Sequence, residues 1–150
     1  MSTIAELQIL RIRSLPDDLD TNLIPLAMQE SFGALEWLSS DWISGINRFS
    51  KPGEGLFTAR YSGQLVGVCG VNQDPYTDGL SIGRLRRLYV HPECRRIGIG
   101  SKLVACVIEE SRKHFIKYHV RTVDSGANSF YLALGFEPVI GDQAVTHRYF

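Results

Sequence analysis

The fold of this chain of 150 residues is decided by one stretch, Leu85-Arg86-Arg87-Leu88-Tyr89-Val90-His91-Pro92-Glu93-Cys94-Arg95-Arg96-Ile97-Gly98-Ile99-Gly100. Its first half alternates in the manner of a strand, which His91 and Pro92 end. Its second half leads into Ile99–Phe115, where apolar residues recur at helical spacing. The stretch therefore predicts a strand, a glycine-containing loop and a helix.

The loop of this stretch has the composition of a phosphate-binding site. A helix N-terminus offers unpaired backbone N–H groups and the positive end of the helix dipole. Gly98 and Gly100 lack Cβ atoms, so a diphosphate can approach the backbone closely. Arg95 and Arg96 add charge that persists at physiological pH. The other interpretation is a plain helix start with surface arginines.

Two other glycine-rich motifs do not match this loop. A P-loop needs G-x-x-x-x-G-K-[ST], whereas Gly100-Ser101-Lys102 has the wrong order. A dinucleotide fingerprint needs G-x-G-x-x-G, whereas Leu103 occupies the position of the third glycine.

The elements on either side of the stretch complete an α/β pattern over residues 1–150, which we expect to form one domain. No internal repeat or linker divides them. The predicted strands are Leu7–Arg13, Leu56–Tyr61, Gln64–Val71, Leu80–Val90, Tyr118–Val123, Pro138–Ile140 and Val145–Phe150. The predicted helices are Leu19–Phe32, Ala34–Phe49, Ile99–Phe115 and Ala127–Leu134. This order predicts a mixed sheet with helices on its faces.

Composition excludes several function classes. The formal net charge is zero, which argues against a general nucleic-acid binder. There is no apolar run long enough for a membrane span and no secretory signal, so we expect a cytoplasmic protein without a membrane partner. Cys69, Cys94 and Cys106 form no metal-ligand spacing with the histidines, so no metal is expected. Cys94 lies beside arginines, but no residues support it as a nucleophile.

The stretch Leu85–Gly100 resembles the central motif of the GNAT acyltransferase superfamily, a strand ending in V-x-P followed by R/Q-x-x-G-x-G/A. A second segment, Asn128-Ser129-Phe130-Tyr131-Leu132-Ala133-Leu134-Gly135-Phe136-Glu137, is similar to the A-x-x-F-Y-x-x-x-G-F segment of that family. The resemblance implies a mixed, mostly antiparallel central sheet of about seven strands, splayed between strands 4 and 5 and flanked by about four helices. It also implies transfer of an acetyl group from acetyl-coenzyme A (acetyl-CoA) to a primary amine.

The resemblance also assigns residues that bind the acetyl-CoA co-substrate. Leu88, Tyr89 and Val90 would present backbone groups to the pantetheine arm, and Asn128 would reach the same arm unless it caps its helix. The diphosphate would be held by the loop residues Arg95, Arg96, Ile97, Gly98, Ile99, Gly100 and Ser101.

For the chemistry, the resemblance places a proton donor at Tyr131 and an oxyanion donor at the Val90 backbone N–H. A phenol with an ordinary pKa near ~10 is protonated at neutral pH and can give its proton to the departing thiolate. The other interpretation of Tyr131 is a packing residue beside Phe130.

The general base is where this sequence departs from the family. Many relatives carry a glutamate on the strand where this chain has Arg86, and an arginine cannot accept the proton of the amine. The remaining candidates are Asp124, His119 and Glu54. The amine could also arrive already deprotonated.

The charge of the acceptor stays open at this stage. Strict alternation would place Arg84, Arg86, Leu88 and Val90 on one face of their strand and Leu85, Arg87 and Tyr89 on the other. An Arg86 that points into the acceptor cavity would suit a carboxylate or phosphate, unless it pairs with Glu30 or Asp124. Further contacts are expected from the first two helices and the loop Asn72–Gly79, namely Glu30, Phe32, Trp37, Trp42, Asp74 and Tyr76. Their acidic members would instead favour a polycationic amine.

Two other functions remain possible on sequence grounds. One is a coenzyme-A-binding module that no longer catalyses and acts as a sensor or partner domain, which the missing glutamate favours and Tyr131 disfavours. The other is an unrelated nucleotide-binding domain. For the enzyme, the partner would be a small-molecule or peptide amine, and a homodimer is possible as in many relatives.

Overall fold

The computed structural model describes residues 6–77, 81–122 and 124–150. Its seven strands form one sheet in the order β1-β2-β3-β4-β5-β7-β6. They are β1 Leu7–Ile12, β2 Gly55–Tyr61, β3 Gln64–Gln73, β4 Ile82–Val90, β5 Lys117–Val120, β6 Glu137–Pro138 and β7 His147–Tyr149. All neighbours are antiparallel except β4 and β5. The predicted mixed, mostly antiparallel sheet is confirmed.

The helices cover both faces of this sheet. They are α1 Ile24–Gln29, α2 Ala34–Ser44, α3 Ile99–Ser111 and α4 Ser125–Ala133. A π-helical turn, Leu19–Leu23, leads into α1, and a short 3₁₀ turn, Pro92–Cys94, follows β4. In the described part of the chain, no helix is long and apolar enough to cross a bilayer.

Several element ends differ from the sequence prediction for local reasons. The helix predicted over Ala34–Phe49 stops at Ser44 because Gly45 adopts a left-handed conformation with φ of 84°. The helix predicted over Leu19–Phe32 is a π-helical turn followed by the short α1, whose first turn contains Pro25. The predicted strand ends Leu80 and Val123, and the end of the predicted loop at Gly79, lie outside the described residues.

The sheet opens between β4 and β5, as predicted. These two parallel strands pair at Ile82 with Lys117, Gly83 with Tyr118 and Arg84 with His119. Beyond Arg84, β4 continues to Val90 without β5 beside it among the paired residues. The fold therefore leaves one backbone edge of β4 facing a gap.

Two hydrophobic clusters fix the helices on the sheet. One lies under α3 and α4 and contains Leu85, Leu103, Val107 and Tyr131 among its buried members. The other lies under the π-helical turn, α1 and α2 and contains Leu19, Leu23, Leu35, Leu38 and Tyr89 among its members. The sheet thus separates an α3 face from an α2 face.

A β-bulge in β4 changes the side-chain alternation. Val68 pairs with Tyr89 and Gly70 with Arg86, so Arg87 and Leu88 together face the single residue Cys69. The backbone of Arg87 has a φ of 61°, in the left-handed region. The extra residue shifts the pairing register of β4 with β3 by one position.

The predicted assignment of β4 residues to faces is therefore wrong. Leu85 packs in the same cluster as Leu88 and Val90, on the α3 face, instead of opposite them. Tyr89 lies on the α2 face. A strict period of two cannot reproduce this arrangement because the bulge breaks the period at Arg87.

The packing of Gly70 gives a test of the α2-side cluster. A Cβ atom at Gly70 would overlap the ring of Phe49, which is 3% exposed. We expect Gly70→Ala to lower the free energy of unfolding by about 1–3 kcal/mol through overpacking. Urea unfolding monitored by circular dichroism measures the change.

A double-mutant cycle separates this contact from a general loss of strand stability. In a Phe49→Ala background the ring is gone, so adding Gly70→Ala should cost little further stability. Equal costs of Gly70→Ala in both backgrounds would show that the ring contact is not responsible.

Candidate functional site

A cavity of about 1200 Å³ opens where β4 and β5 separate. It is bounded by the end of β4, the start of α3, the residues after β5, most of the length of α4 and the α1–α2 connection. Its lining includes Glu30, Ser31, Phe32, Ala34, Leu88, Tyr89, Val90, Arg95, Arg96, Gly98, Ile99, Gly100, Ser101, Arg121, Thr122, Asp124, Gly126, Ala127, Phe130 and Tyr131. The two motifs singled out in the sequence thus meet in one place.

The N-terminus of α3 supplies hydrogen-bond donors to this cavity. Gly98 is the N-cap with a φ of 83°, a left-handed conformation that favours glycine. Lys102 donates its N–H to the Gly98 carbonyl at 3.1 Å. The N–H groups of Ile99, Gly100 and Ser101 precede it and belong to the first turn, whose donors have no acceptor within the helix. These residues are suited to hold an anion.

The two glycines of this loop are required for different reasons. A Cβ atom at Gly98 would meet no atom within 4 Å, so the constraint there is the backbone conformation. A Cβ atom at Gly100 would lie 3.3 Å from the Phe130 ring and 3.6 Å from Val90, so the constraint there is the close contact of α3 with α4 and β4.

The backbone of β4 supplies a second set of polar groups. His91 donates its N–H to Val66 of β3 at 2.7 Å, so the backbone groups of Val90 face the other side, toward the gap. The Val90 carbonyl accepts a hydrogen bond from Arg95 Nε at 3.1 Å. By the same alternation, the backbone groups of Leu88 face the gap, whereas Tyr89 pairs with Val68 of β3. The gap side of β4 can therefore bind an extended chain with amide groups.

Arg95 is bound to a carboxylate in the cavity. Its guanidinium donates two hydrogen bonds to Glu30, at 2.6 and 2.8 Å, and lies 5.3 Å from the centre of the Tyr89 ring. The Tyr89 hydroxyl donates to the same carboxylate at 2.5 Å. Hydrogen bonds from Arg95 and then Tyr89 hold the pKa of Glu30 below its ordinary value. Arg96 is exposed and makes no ion pair with the described residues, so it is the loop arginine that is free to meet an anion.

Tyr131 places a phenol at the cavity wall. Its ring is 4% exposed and packs edge-on against Phe130 and Phe136, with centroids 5.1 Å away in each case. Burial raises the pKa of this phenol well above its ordinary value. Tyr131 is therefore neutral at physiological pH and can donate a proton.

Two of the predicted cofactor residues lie outside the cavity lining. Asn128 Oδ1 is 2.7 Å from His147 Nε2, so its amide is engaged within the protein instead of facing the cavity. Nor does Asn128 cap α4, because the N-cap is Asp124. Ile97 is 54% exposed at the tip of the loop.

The three candidate bases have different surroundings. Glu54 is 6% exposed and accepts hydrogen bonds from the N–H groups of Lys51 and Gln73. His119 Nδ1 lies 2.6 Å from the buried Asp74 carboxylate. Asp124 alone of the three lines the cavity.

Arg86 does not line the cavity but lies just beyond it along β4. The two acids proposed as its partners are engaged elsewhere, since Glu30 pairs with Arg95 and Asp124 accepts a hydrogen bond from Ala127 N. The predicted pairing of Arg86 with either acid is therefore wrong. No group of three or more metal-ligating side chains occurs among the residues that the structure describes.

Comparison with known proteins agrees with this geometry. A family model described as an acetyltransferase (GNAT) domain matches residues 52–138, more than half of the chain.

The chain belongs to the GNAT acetyltransferase family.

A curated relative is 29% identical over 89 residues, the uncharacterized N-acetyltransferase MJ1207 of Methanocaldococcus jannaschii. This match covers 56% of the chain and spans only 39% of that relative.

Solved structures show the same GNAT fold over nearly the whole chain. A protein from Exiguobacterium sp. 255-15, provisionally described as an acetyltransferase, superposes with a TM-score of 0.84 at 25% identity, covering 96% of this chain and 93% of that one. The family member YhbS from Escherichia coli, solved in complex with CoA, gives a TM-score of 0.72 at 15% identity, covering 99% and 83%.

Part of the lining of this GNAT cavity was not predicted from the sequence. Arg121 and Thr122 follow β5 directly and reach the cavity because β5 has diverged from β4. Ser31 lies in the α1–α2 connection and has a φ of 59°. Arg121 and Thr122 could have been predicted, because residues that follow a parallel strand at the opening of a sheet lie beside that opening. Nothing in the local sequence indicates Ser31.

The cap of α4 can be tested directly because it holds the segment that carries Tyr131. Asp124 Oδ2 accepts the N–H of Ala127 at 3.0 Å. We expect Asp124→Ala to cost about 1 kcal/mol of stability, whereas Asp124→Asn retains the cap and costs less. Thermal unfolding of the three proteins gives the comparison. Equal losses for both variants would mean that the carboxylate charge, not the cap, is what matters.

Proposed function

We propose that this GNAT protein is an N-acetyltransferase that moves the acetyl group of acetyl-CoA to a primary amine through a ternary complex. The observation that carries the proposal is a single cavity that joins the free N–H groups of the α3 first turn to the neutral phenol of Tyr131. The family membership supports the reaction class.

The residues of the cavity fit coenzyme A. The N–H groups of Ile99, Gly100 and Ser101, with the exposed Arg96, suit a diphosphate. The gap edge of β4 at Leu88 and Val90 suits the amide groups of a pantetheine arm, which would add to the strand as a peptide does. The CoA complex of the related YhbS fold supports this assignment.

In the proposed reaction a neutral amine attacks the thioester carbonyl carbon. The new C–N bond forms, the C–S bond breaks, and the sulfur leaves as a thiolate that takes a proton. Tyr131 supplies this proton, since its phenol is protonated at neutral pH, and the phenolate is then reprotonated from solvent; burial makes this phenol a weaker acid than an exposed one, because it raises the pKa. The Val90 N–H, on the gap side of β4, stabilises the oxyanion that forms on the carbonyl oxygen.

The amine must lose a proton, and two carboxylates line the cavity. Glu30 is a weak base because Arg95 and Tyr89 lower its pKa. Asp124 has no arginine partner among the described residues and is the better acceptor, directly or through water. Its cap bond occupies one carboxylate oxygen and leaves the other available.

A non-catalytic coenzyme-A-binding module is the second candidate function. Arg86 in place of a strand carboxylate favours it, and the same reaction assay discriminates the two. A binding module would bind CoA and release no thiol from acetyl-CoA with any amine.

For the location of the protein in the cell, we propose the cytoplasm. The three cysteines are all free thiols, which agrees with this location.

Replacement of the proposed proton donor tests the mechanism. We expect Tyr131→Phe to lower kcat by about 10²-fold or more, because a general acid is lost, while CoA affinity changes little. Thiol release gives kcat and calorimetry gives the affinity. Tyr149→Phe serves as the control, since Tyr149 stacks on Phe136 at 5.0 Å but does not line the cavity. An unchanged kcat in Tyr131→Phe would remove the proposed role.

Replacement of Gly98 tests the diphosphate site. Gly98 and Gly141 have φ of 83° and 84°, and a Cβ atom at either would meet open space. Alanine at either position therefore costs about 1–2 kcal/mol of backbone strain. We expect only Gly98→Ala to weaken CoA binding, by about tenfold or more, as measured by calorimetry. Equal CoA affinity in the two variants would argue against the loop as the diphosphate site.

A further inference from the structure

Three arginines of β4 gather on the α2 face of the sheet, next to the cavity; we call Arg84, Arg86 and Arg87 the arginine cluster. Arg87 lies 5.8 Å from the centre of the Trp37 ring of α2. Arg84 lies 4.7 Å from the centre of the Tyr76 ring. Arg86 pairs across the sheet with Gly70, whose vacant Cβ side is filled by Phe49 of the α2-side cluster.

Arg86 has no acidic partner in the described chain, unlike its two neighbours. Arg84 lies 3.7 Å from the Asp74 carboxylate, which also contacts His119. Arg87 lies 3.7 Å from the Asp41 carboxylate of α2. Counted over the described residues, the cluster therefore carries one positive charge more than the acids that contact it.

The pKa shifts of the two neighbouring arginines agree with this excess of positive charge. Burial first, and then repulsion by the Arg86 charge, lower the pKa of Arg87. Burial also lowers the pKa of Arg84, and the Arg86 charge adds to that shift. A bound anion would relieve this repulsion.

The cluster also contains unsatisfied hydrogen-bond donors. Within the described part of the chain, Arg84 Nη1 and Arg86 Nε are buried without a hydrogen-bond partner, and the side chain of Arg84 is only 7% exposed. Buried donors without acceptors are uncommon and costly in native proteins. An oxyanion supplies acceptors for guanidinium donors.

The cluster is continuous with the α2 side of the cavity, lined by Glu30, Phe32, Ala34 and Tyr89, which we call the acceptor side. Tyr89 lines the cavity on the α2 face, and Arg86 lies on the same face, because Tyr89 and Arg86 pair with Val68 and Gly70, which are two positions apart on β3. Ala34 lines the cavity, and Trp37 follows it by one turn of α2. At about 3.3 Å per residue, this spacing places Arg86 about 7 Å from Tyr89 along the strand, on the same face. A small molecule can therefore span both places.

We infer that the acceptor is a small amine that carries an oxyanion, a carboxylate or a phosphate a few bonds from its amino group, and that Arg86 binds this oxyanion. This inference rests on the proposed acetyltransferase function. A polycationic acceptor is disfavoured, because Glu30, Asp41 and Asp74 each already contact an arginine, which leaves Asp124 as the lining carboxylate without an arginine among the described residues.

Matched pairs of amines test the inference. The panel is β-alanine with β-alaninamide, O-phosphoethanolamine with ethanolamine, and spermidine as the polycation, each assayed with acetyl-CoA by thiol release. We expect the anionic member of at least one pair to have a kcat/KM about tenfold to hundredfold higher than its neutral partner. The favoured pair identifies the oxyanion as carboxylate or phosphate. Equal values within both pairs, or a preference for spermidine, would overturn the inference.

Substitutions then assign the preference to Arg86. Arg86→Met keeps the length of the side chain and removes its charge, so the anionic-to-neutral ratio of kcat/KM should fall about tenfold or more. Arg86→Lys keeps the charge without the planar fork and should retain part of the ratio. Arg112→Met is the control, since Arg112 pairs with Glu109 on the surface of α3. A ratio that survives in Arg86→Met would overturn the assignment.

A binding measurement separates failure of this inference from failure of the proposed function. The unfolding midpoint of wild type, with and without CoA, should rise with β-alanine or O-phosphoethanolamine more than with the neutral partners. Arg86→Met should lose this difference and Arg112→Met should keep it. If no amine releases thiol but the difference is present, the enzyme proposal fails and the oxyanion site stands. If no difference is present, the oxyanion site fails whatever the enzyme result.

Discussion

The early end of the pairing between β4 and β5 is the constraint on which the site depends. Backbone N–H and C=O groups inside a sheet require partners, and beyond Arg84 the gap edge of β4 has none from β5 among the paired residues. The structure meets part of this requirement with Arg95, which bonds the Val90 carbonyl. The rest of the edge faces a cavity. A sheet that stayed closed would place β5 where the cavity is.

The start of α3 and the body of α4 complete that cavity from opposite sides. Gly100 allows the contact, because the Phe130 ring and Val90 both lie close to where its Cβ atom would be. The same contact brings Tyr131 to the wall with its ring buried among Phe130 and Phe136. Packing and chemistry are thus linked, because the burial that stabilises α4 also keeps the phenol neutral.

Ion pairs near the cavity leave a local charge that the net charge of the chain does not reveal. The chain has a formal net charge of zero, but three of the acids in or near the cavity each contact an arginine. Glu30 contacts Arg95, Asp41 contacts Arg87, and Asp74 contacts Arg84 and His119. Beside the bulge, Arg87 contacts α2 through Trp37 and Asp41, whereas Arg86 has no acid among the described residues. The excess positive charge beside the acceptor side follows from these contacts.

The sequence by itself determined the family, the order of strands and helices, and the position of the α3 N-terminus, because these depend on local periodicity, on Gly98 and Gly100, and on the spacing of two motifs. Only the tertiary structure decided the partners of Arg95, Asn128 and Glu30 and the direction of Arg86. Glu30 and Arg95 are 65 positions apart, and such a contact leaves no local pattern. The bulge in β4 likewise depends on its pairing with β3, and a single extra residue reverses every later prediction of which face a side chain takes.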